Sequence, residues 1–258
     1  MIQIKSAKEM EKMRRACAIS AAALRYGGEH IEAGMTTLEL DQLMYDFIIK
    51  QGATPNFKGL YGFPGTACIS VNDTVIHGIP SKNIVIRPGD IVSIDVGAKV
   101  DGFNGDNACT FGCGTLDLEA KRLLEVTKAS LYLGIEAAKA GNRVGDIGHA
   151  VQSYCEERGF SVVREFTGHG VGKELHEDPE VPNYGTAGKG PRLVAGMTIA
   201  IEPMICQYDH KVKTLPDGWT VKTRDGGLAA HFEHTIAILP GNKTEILTKG
   251  WDDPNSSL

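Results

Sequence analysis

Apolar and polar positions along this chain follow two periods, and the switches between them mark its elements. Ser6-Ala7-Lys8-Glu9 has capping-box spacing, in which a hydroxyl and a carboxylate three residues later satisfy each other's backbone N–H groups. It opens a helix expected to reach about Tyr26 and to be stopped by Gly27-Gly28, since glycine is a poor helix former. Thr36-Thr37-Leu38-Glu39 repeats the signature and begins a second helix that closes at Gly52, with Leu40, Leu43, Met44 and Phe47 as its apolar stripe. A third helix is predicted over residues 118–139 and a fourth over 144–158. Short β-rich runs fill the rest, among them Ala67–Val71, residues 91–96, Thr198–Ile201 and residues 234–239.

The second pair of helices repeats the first. A shift of 107 positions carries Leu24 onto Leu131, Gly27 onto Gly134, Glu29 onto Glu136, Ala33-Gly34 onto Ala140-Gly141 and Gly52 onto Gly159. The same shift carries Gly89 onto Gly196, and the strand ending in Asp95 onto the strand ending in Glu202. The period is far above the 20–50 residues of solenoid repeats. The reading is an α+β fold of two fused halves, about 1–110 and 111–248, around a pseudo-twofold axis, each giving one face of a shared sheet. A single domain over 1–248 with a C-terminal tail over 249–258 is expected.

Composition narrows the classes of function. The 258 residues are 42% hydrophobic, enough for a substantial core, and the net charge of −5 is spread without charged runs. No phosphate-neutralising basic patch is visible, so specific nucleic-acid binding is not expected. The N-terminus lacks a signal-peptide profile, and no stretch approaches the roughly 20 apolar residues of a membrane span. Six cysteines without a secretory signal read as thiols of a reducing cytosol. Cys109 and Cys113 form one close pair with no second pair to complete a zinc site, and no metal is assigned to them.

The chemistry lies in the acids. In Ile91-Val92-Ser93-Ile94-Asp95 an apolar strand ends in a carboxylate; Asp101-Gly102 turns the chain and a return strand holds Asp106. Alternation can place both acids on one face of a hairpin. Alone, the segment also reads as a solvated acidic hairpin. A buried pair would have to share a proton or bind cations. Glu202 ends an apolar strand in the second half, and Glu233 in Ala230-His231-Phe232-Glu233-His234-Thr235 supplies the partner to match Asp106. Four acids around a twofold make a cage suited to two divalent ions, with metal binding linked to stability. His169, between Gly168 and Gly170, is the best imidazole for the cage: flanking glycines allow close backbone approach and conformations that other residues disfavour.

The ordered set Asp95, Asp106, His169, Glu202, Glu233 resembles the metal set of the methionine aminopeptidases, which have the pita-bread fold. Cys68-Ile69-Ser70-Val71-Asn72, His77-Gly78-Ile79-Pro80, Gly168-His169-Gly170-Val171-Gly172, His176-Glu177, Ile201-Glu202-Pro203-Met204, Asp217-Gly218-Trp219-Thr220 and Phe232-Glu233-His234-Thr235 look like motifs of that family. The pattern is most similar to the bacterial type 1 enzymes, without a type 2 insertion between His169 and Glu202 or an N-terminal zinc-binding extension. The resemblance implies two divalent cations (Mn, Fe, Co or Zn), bridged by Asp106 and Glu233, with Asp95 on one and His169 and Glu202 on the other. It implies a metal-activated hydroxide attacking the scissile carbonyl, Glu202 handling protons, His176 donating to the carbonyl oxygen and His77 contacting the scissile amide nitrogen. The expected substrates are N-termini of nascent polypeptides with a small second residue, met in the cytoplasm by a monomer in transient contact with the ribosome and no membrane.

The positions matching the family's methionine pocket are Phe57, Leu60, Phe63, Cys68, Leu175 and Trp219. Phe57 stands where the family's best-known bacterial members have cysteine, Leu60 where they have tyrosine and Leu175 where they have phenylalanine. His231 stands where glutamine is usual; it is expected to touch the residues behind the ligands and make activity more pH-sensitive, or else to be an exposed polar residue. His234 is read as structural. The rival readings are an Xaa-Pro peptidase of the same fold, which can share all five ligands, and a non-catalytic pita-bread binding protein, which normally loses some of them.

Overall fold

The computed structural model describes residues 1–251 and shows an α+β fold. Its helices are α1 (Ala7–Glu29), α2 (Thr37–Lys50), α3 (Leu118–Ala137) and α4 (Val144–Glu156). Both predicted capping boxes form: the Ser6 hydroxyl accepts from the Glu9 N–H while the Glu9 carboxylate accepts from the Ser6 N–H at 3.0 Å, and Thr36 and Glu39 do the same. No helix among the described residues is long and apolar enough to cross a membrane.

Gly27-Gly28 does not stop α1. A Cβ on Gly27 would stand 2.8 Å from Met44 Sδ on α2, and one on Gly28 would stand 2.3 Å from the Phe111 ring. The glycines let α1 approach its neighbours, and that packing outweighs their low helix propensity. The stripe of α2 is also turned from the expected one: Leu40, Met44 and Ile48 are buried, while Leu43 and Phe47 are half-buried.

The helices cover a main sheet of nine strands among the described residues. Its path runs Thr54–Pro55, Ile91–Val100, Phe103–Gly112, Glu233–Leu239, Thr198–Ile201, Gly168–Gly170, Glu177–Val181, with Ala67–Val71 against Ile91–Val100 and Lys243–Ile246 against Glu233–Leu239. Asp101 (φ 52°) and Gly102 (φ 79°) turn the first hairpin with the two positive φ angles that a two-residue turn matching the sheet twist requires. At the central seam Ala108 pairs with Glu233 and Asn107 with His234, so the halves join beside the acids.

The internal repeat holds at the level of backbone geometry. Gly34 and Gly141 have φ of 97° and 99°, Gly52 and Gly159 73° and 80°, and Gly89 and Gly196 92° and 93°. The isolated bridge Thr36–Val85 recurs as Arg143–Arg192. Gly27 abuts Met44 across the α1–α2 crossing, and Gly134 abuts Val151 across the α3–α4 crossing at the same offset. One apolar cluster takes Leu24, Met44 and Ile94 from the first half and Leu131, Ile147 and Ile201 from the second. Each such side chain contributes about 1.5–3 kcal/mol when fully buried.

Two departures bear on the site. The strand through Glu233 is not continuous: Ala229–His231 pairs with Met204–Cys206 in a smaller sheet, and the main sheet resumes at Glu233. Pro203, which has no N–H, breaks the facing strand at the same level. Glu202 and Glu233 therefore sit where both strands leave one sheet for the other. Secondly, packing continues past residue 248: Trp251 is buried and its ring stacks on His234 at 4.6 Å. The rest of the expected tail, 252–258, lies outside the described residues.

The backbone of α1 lies directly on the strand that carries Asp106. A Cβ on Gly105 would fall 2.6 Å from the carbonyl carbon and oxygen of Ala16, both rigid backbone atoms. Gly105→Ala is therefore expected to destabilise the fold by about 1–3 kcal/mol through overpacking. Denaturant unfolding should show a lower midpoint with an unchanged slope.

Candidate metal centre and substrate cavity

In the hairpin register Asp95 pairs with Ala108 and Asp106 with Gly97, so the two acids are diagonal neighbours on one face. Ala108 also pairs with Glu233, bringing the third acid onto that face from the second half. Ile201 pairs with His234, which places Glu202, the next residue, beside the level of Glu233. The acids are not arranged with full symmetry: Asp95 is staggered from Asp106, whereas Glu202 lies level with Glu233.

His169 closes the group. Ligand atoms of Asp106, His169 and Glu233 lie within 4.8 Å of one another. The ring Nδ1 is 2.9 Å from the Gly170 carbonyl oxygen, which only accepts, so Nδ1 carries the proton and Nε2 presents its lone pair. That Nε2 stands 3.6 Å from both Asp106 Oδ2 and Glu202 Oε1. The flanking glycines serve close approach alone: a Cβ on Gly168 would meet the Ala200 carbonyl oxygen at 2.4 Å, and one on Gly170 the Asp178 carbonyl oxygen at 2.3 Å. Neither has a positive φ, so the special backbone conformation expected there is absent.

The electrostatics are those of a site built for cations. Burial lifts Asp95 to about 7 and Glu202 to about 8, and holds Asp106 and Glu233 well above the usual carboxylate range, where neighbouring acids add to the effect. Burial also lowers the imidazoles, His169 to about 3, His77 to about 4 and His176 and His231 below the ordinary value. Asp95 Oδ1, Asp106 Oδ1 and Glu233 Oε1 are buried without hydrogen-bond partners. Buried polar atoms are rarely left unpaired, and here they share one cavity with a neutral imidazole nitrogen. Hard oxygen donors with one imidazole fit divalent metal ions.

A cavity of about 490 Å³ holds all five of these residues together with His77, His176, Phe57, Leu60, Phe63, Cys68, Leu175 and Trp219. Phe57, Phe63, Cys68 and Leu175 form a separate buried apolar cluster, with Leu60, Trp219 and Ile79 packed against it. The Trp219 ring meets Phe63 edge-on at 5.1 Å and His77 at 6.1 Å; His176 meets His169 edge-on at 4.4 Å. Every site residue singled out from the sequence thus lines one cavity.

The comparisons with known proteins agree with this geometry. The sequence pattern of metallopeptidase family M24 matches residues 11–240. The chain belongs to metallopeptidase family M24. It is 53% identical over 248 residues to the methionine aminopeptidase of Clostridium perfringens, covering 96% of this chain and 99% of that one. The crystal structure of methionine aminopeptidase from Thermotoga maritima superposes with a TM-score of 0.95 at 47% identity, covering 97% of this chain and all of that one. Prolidase from Pyrococcus furiosus matches with a TM-score of 0.78 at 27% identity, but this chain spans only 65% of its length. The chain has the pita-bread fold of these neighbours, as the family resemblance implied.

Some wall residues of this M24 cavity were not anticipated. Ile79, not assigned to the pocket, packs against its apolar cluster without lining the cavity. Phe166 packs edge-on against His77 at 5.6 Å, and Tyr61, with φ of 49°, lies near His176 at 6.4 Å between ring centroids. Their only sequence signal is proximity to assigned residues, Leu60 for Tyr61 and His169 for Phe166. His231 is buried, not an exposed polar residue, and its Nε2 lies 3.6 Å from Glu202 Oε2. His234 is buried too, its Nδ1 2.9 Å from Thr248 Oγ1. All six cysteines are free and buried.

The raised carboxylate values fix the pH behaviour of metal-free protein. Glu202 and Asp95 ionise near 4.5 and 3.8 when unfolded but near 8 and 7 when folded, so the unfolded state loses its protons first. Their contribution to stability is complete below about pH 4 and lost as pH rises towards 8. Melting temperatures of chelated protein should fall between pH 5 and 8, after allowance for acid effects elsewhere. Divalent cations should restore the loss and release protons on binding, measurable by calorimetry in buffers of different ionisation enthalpy.

Proposed function

We propose that the chain removes N-terminal methionine from peptides and nascent proteins with two divalent cations, preferring a small second residue. The observation that carries this reading is the juxtaposition, in one cavity, of the carboxylate–imidazole group with an apolar pocket of Phe57, Leu60, Phe63, Cys68, Leu175 and Trp219. A flexible thioether side chain suits aromatic and sulfur-containing walls. The high identity to methionine aminopeptidases over nearly the whole chain supports the same substrate.

Asp106 and Glu233 would be shared between the ions, with Asp95 holding one and His169 and Glu202 the other. When bound, a pair of such ions polarises the scissile carbonyl, activates water near neutral pH and can hold the substrate's free amine. The chain's own residues supply the rest. Glu202 would take and return a proton, with His231 Nε2 3.6 Å from its Oε2. His176, lowered by burial and therefore neutral, can donate an N–H to the carbonyl oxygen as charge develops. His77, also neutral and set at the pocket wall against Phe166 and Trp219, would contact the scissile amide nitrogen. The His231 contact lets its ionisation modulate the proton handling of Glu202.

The bacterial relatives and six free thiols favour the cytoplasm, with nascent N-termini as partners, transient contact with the ribosome and a monomer as the working unit. Reconstitution of chelated protein with Mn, Fe, Co and Zn separately, followed by assay on Met-Ala-Ser and Ala-Pro, tests the reading. Turnover of the first peptide alone is expected; preference for Ala-Pro would identify the prolidase activity instead, and failure of every metal would overturn both. In the active form His176→Ala should lower kcat about 10²–10³-fold, as removal of one such donor does, with the metal content unchanged.

A further inference from the structure

His176 stands on the loop between Gly168–Gly170 and Glu177–Val181, the loop that also carries the pocket residue Leu175. A second cavity of about 490 Å³, lined by Lys5, Phe103, Lys173, Glu174, His176 and Glu177, lies behind this loop. Packing alone therefore gives the loop little support on that side. The segment before α1 crosses the gap. The Lys5 ammonium meets Glu177 Oε2 at 2.6 Å, and the two side chains are only 5% and 9% exposed. Glu177 is the residue next to His176, and its Oε1 accepts from the Glu174 N–H at 3.3 Å, closing the loop on itself. Gly172 leaves space for that carboxylate, since a Cβ there would stand 2.3 Å from Glu177 Oε1.

The same segment is itself held in place. The Lys5 N–H donates to the Gly196 carbonyl oxygen at 2.8 Å, and Gly196, at φ 93°, opens the turn into the strand that leads to Glu202. A Cβ on Gly196 would fall 2.6 Å from Ile4 Cγ2, so the segment lies tight against that turn. Lys5 thus spans from the base of the Glu202 strand to the residue beside His176.

We propose that Lys5 is a positioning residue for the reaction: its buried ion pair with Glu177 fixes the His176 loop over the metal ligands, so that the imidazole meets the developing oxyanion in register. A donor contributes fully only when preorganised at its place, and small displacements cost large factors in rate. The inference rests on the role given above to His176.

The test is a kinetic cycle between Lys5 and His176 on Met-Ala-Ser, using metal-reconstituted full-length protein. Lys5→Met should lower kcat about tenfold with KM within about twofold and metal content unchanged, while Lys5→Arg restores most of kcat. In the His176→Ala background, Lys5→Met should change kcat by less than about twofold, because the group it positions is gone. A purely structural role would lower both backgrounds equally, and that result overturns the proposal, as does a Lys5→Met kcat equal to wild type. Should the unpaired Glu177 carboxylate prevent Lys5→Met from folding, the Lys5→Met/Glu177→Gln double variant buries no lone charge and carries the same comparison. Failure of the wild-type protein to cleave the peptide would refute the activity, whereas an active wild type with indifferent Lys5 variants would refute only the brace.

Discussion

The structure depends on one electrostatic conflict: carboxylates of both halves forced together on a buried face, without enough donors to satisfy them. Asp95, Asp106 and Glu233 each keep an oxygen without a partner, and burial raises all four acids above the usual carboxylate range. Free of cations, such a cluster opposes folding, so the scaffold around it has to be rigid. The ten-residue hairpin strands Ile91–Val100 and Phe103–Gly112, pinned beneath α1 by the contact at Gly105, supply that rigidity on one side. The seam to Glu233–Leu239 ties in the other.

The conflict also explains why the ligands sit at interruptions. A carboxylate in mid-strand faces its cross-strand neighbours at fixed spacing. At Pro203 and Phe232 the ladders change sheets, and Glu202 and Glu233 stand beside those breaks. Regular strands place the first-half acids and broken strands the second-half acids.

Much of this was legible in the sequence because it is written in local chemistry. Capping boxes, strand-terminal acids and the repeat offset all depend on a few neighbouring residues, and the left-handed glycines at 34, 52 and 89 recur at 141, 159 and 196 with nearly the same φ. The errors came where the cause is distant. Gly27-Gly28 looks like a helix stop, but Met44 and Phe111 decide its fate. The glycines around His169 look like conformational licences, but carbonyl oxygens of Ala200 and Asp178 demand them. Trp251 looks like tail until the buried face of His234 is known to be its partner. The ordered ligand set was readable through its resemblance to a family, whereas Phe166 and Tyr61 became wall residues only when the fold brought their loops together.

The repeated scaffold has divided its labour. Ala67–Val71 flanks the Asp95 strand as Gly168–Gly170 flanks the Glu202 strand, so the two occupy matching places in the sheet. The first places Cys68 opposite Asp95 and, with the loop before it, contributes Phe57, Leu60 and Phe63 to the apolar wall. The second places His169, and its following loop brings Leu175 and His176. Acids come from both halves, most of the apolar recognition from the first, and the metal-facing imidazole from the second. Duplication can supply a symmetric cage for two like charges, but hydrolysis needs a side that receives the apolar residue and a side that stabilises the carbonyl oxygen. Divergence of equivalent flanking strands answers that need while leaving the shared sheet intact.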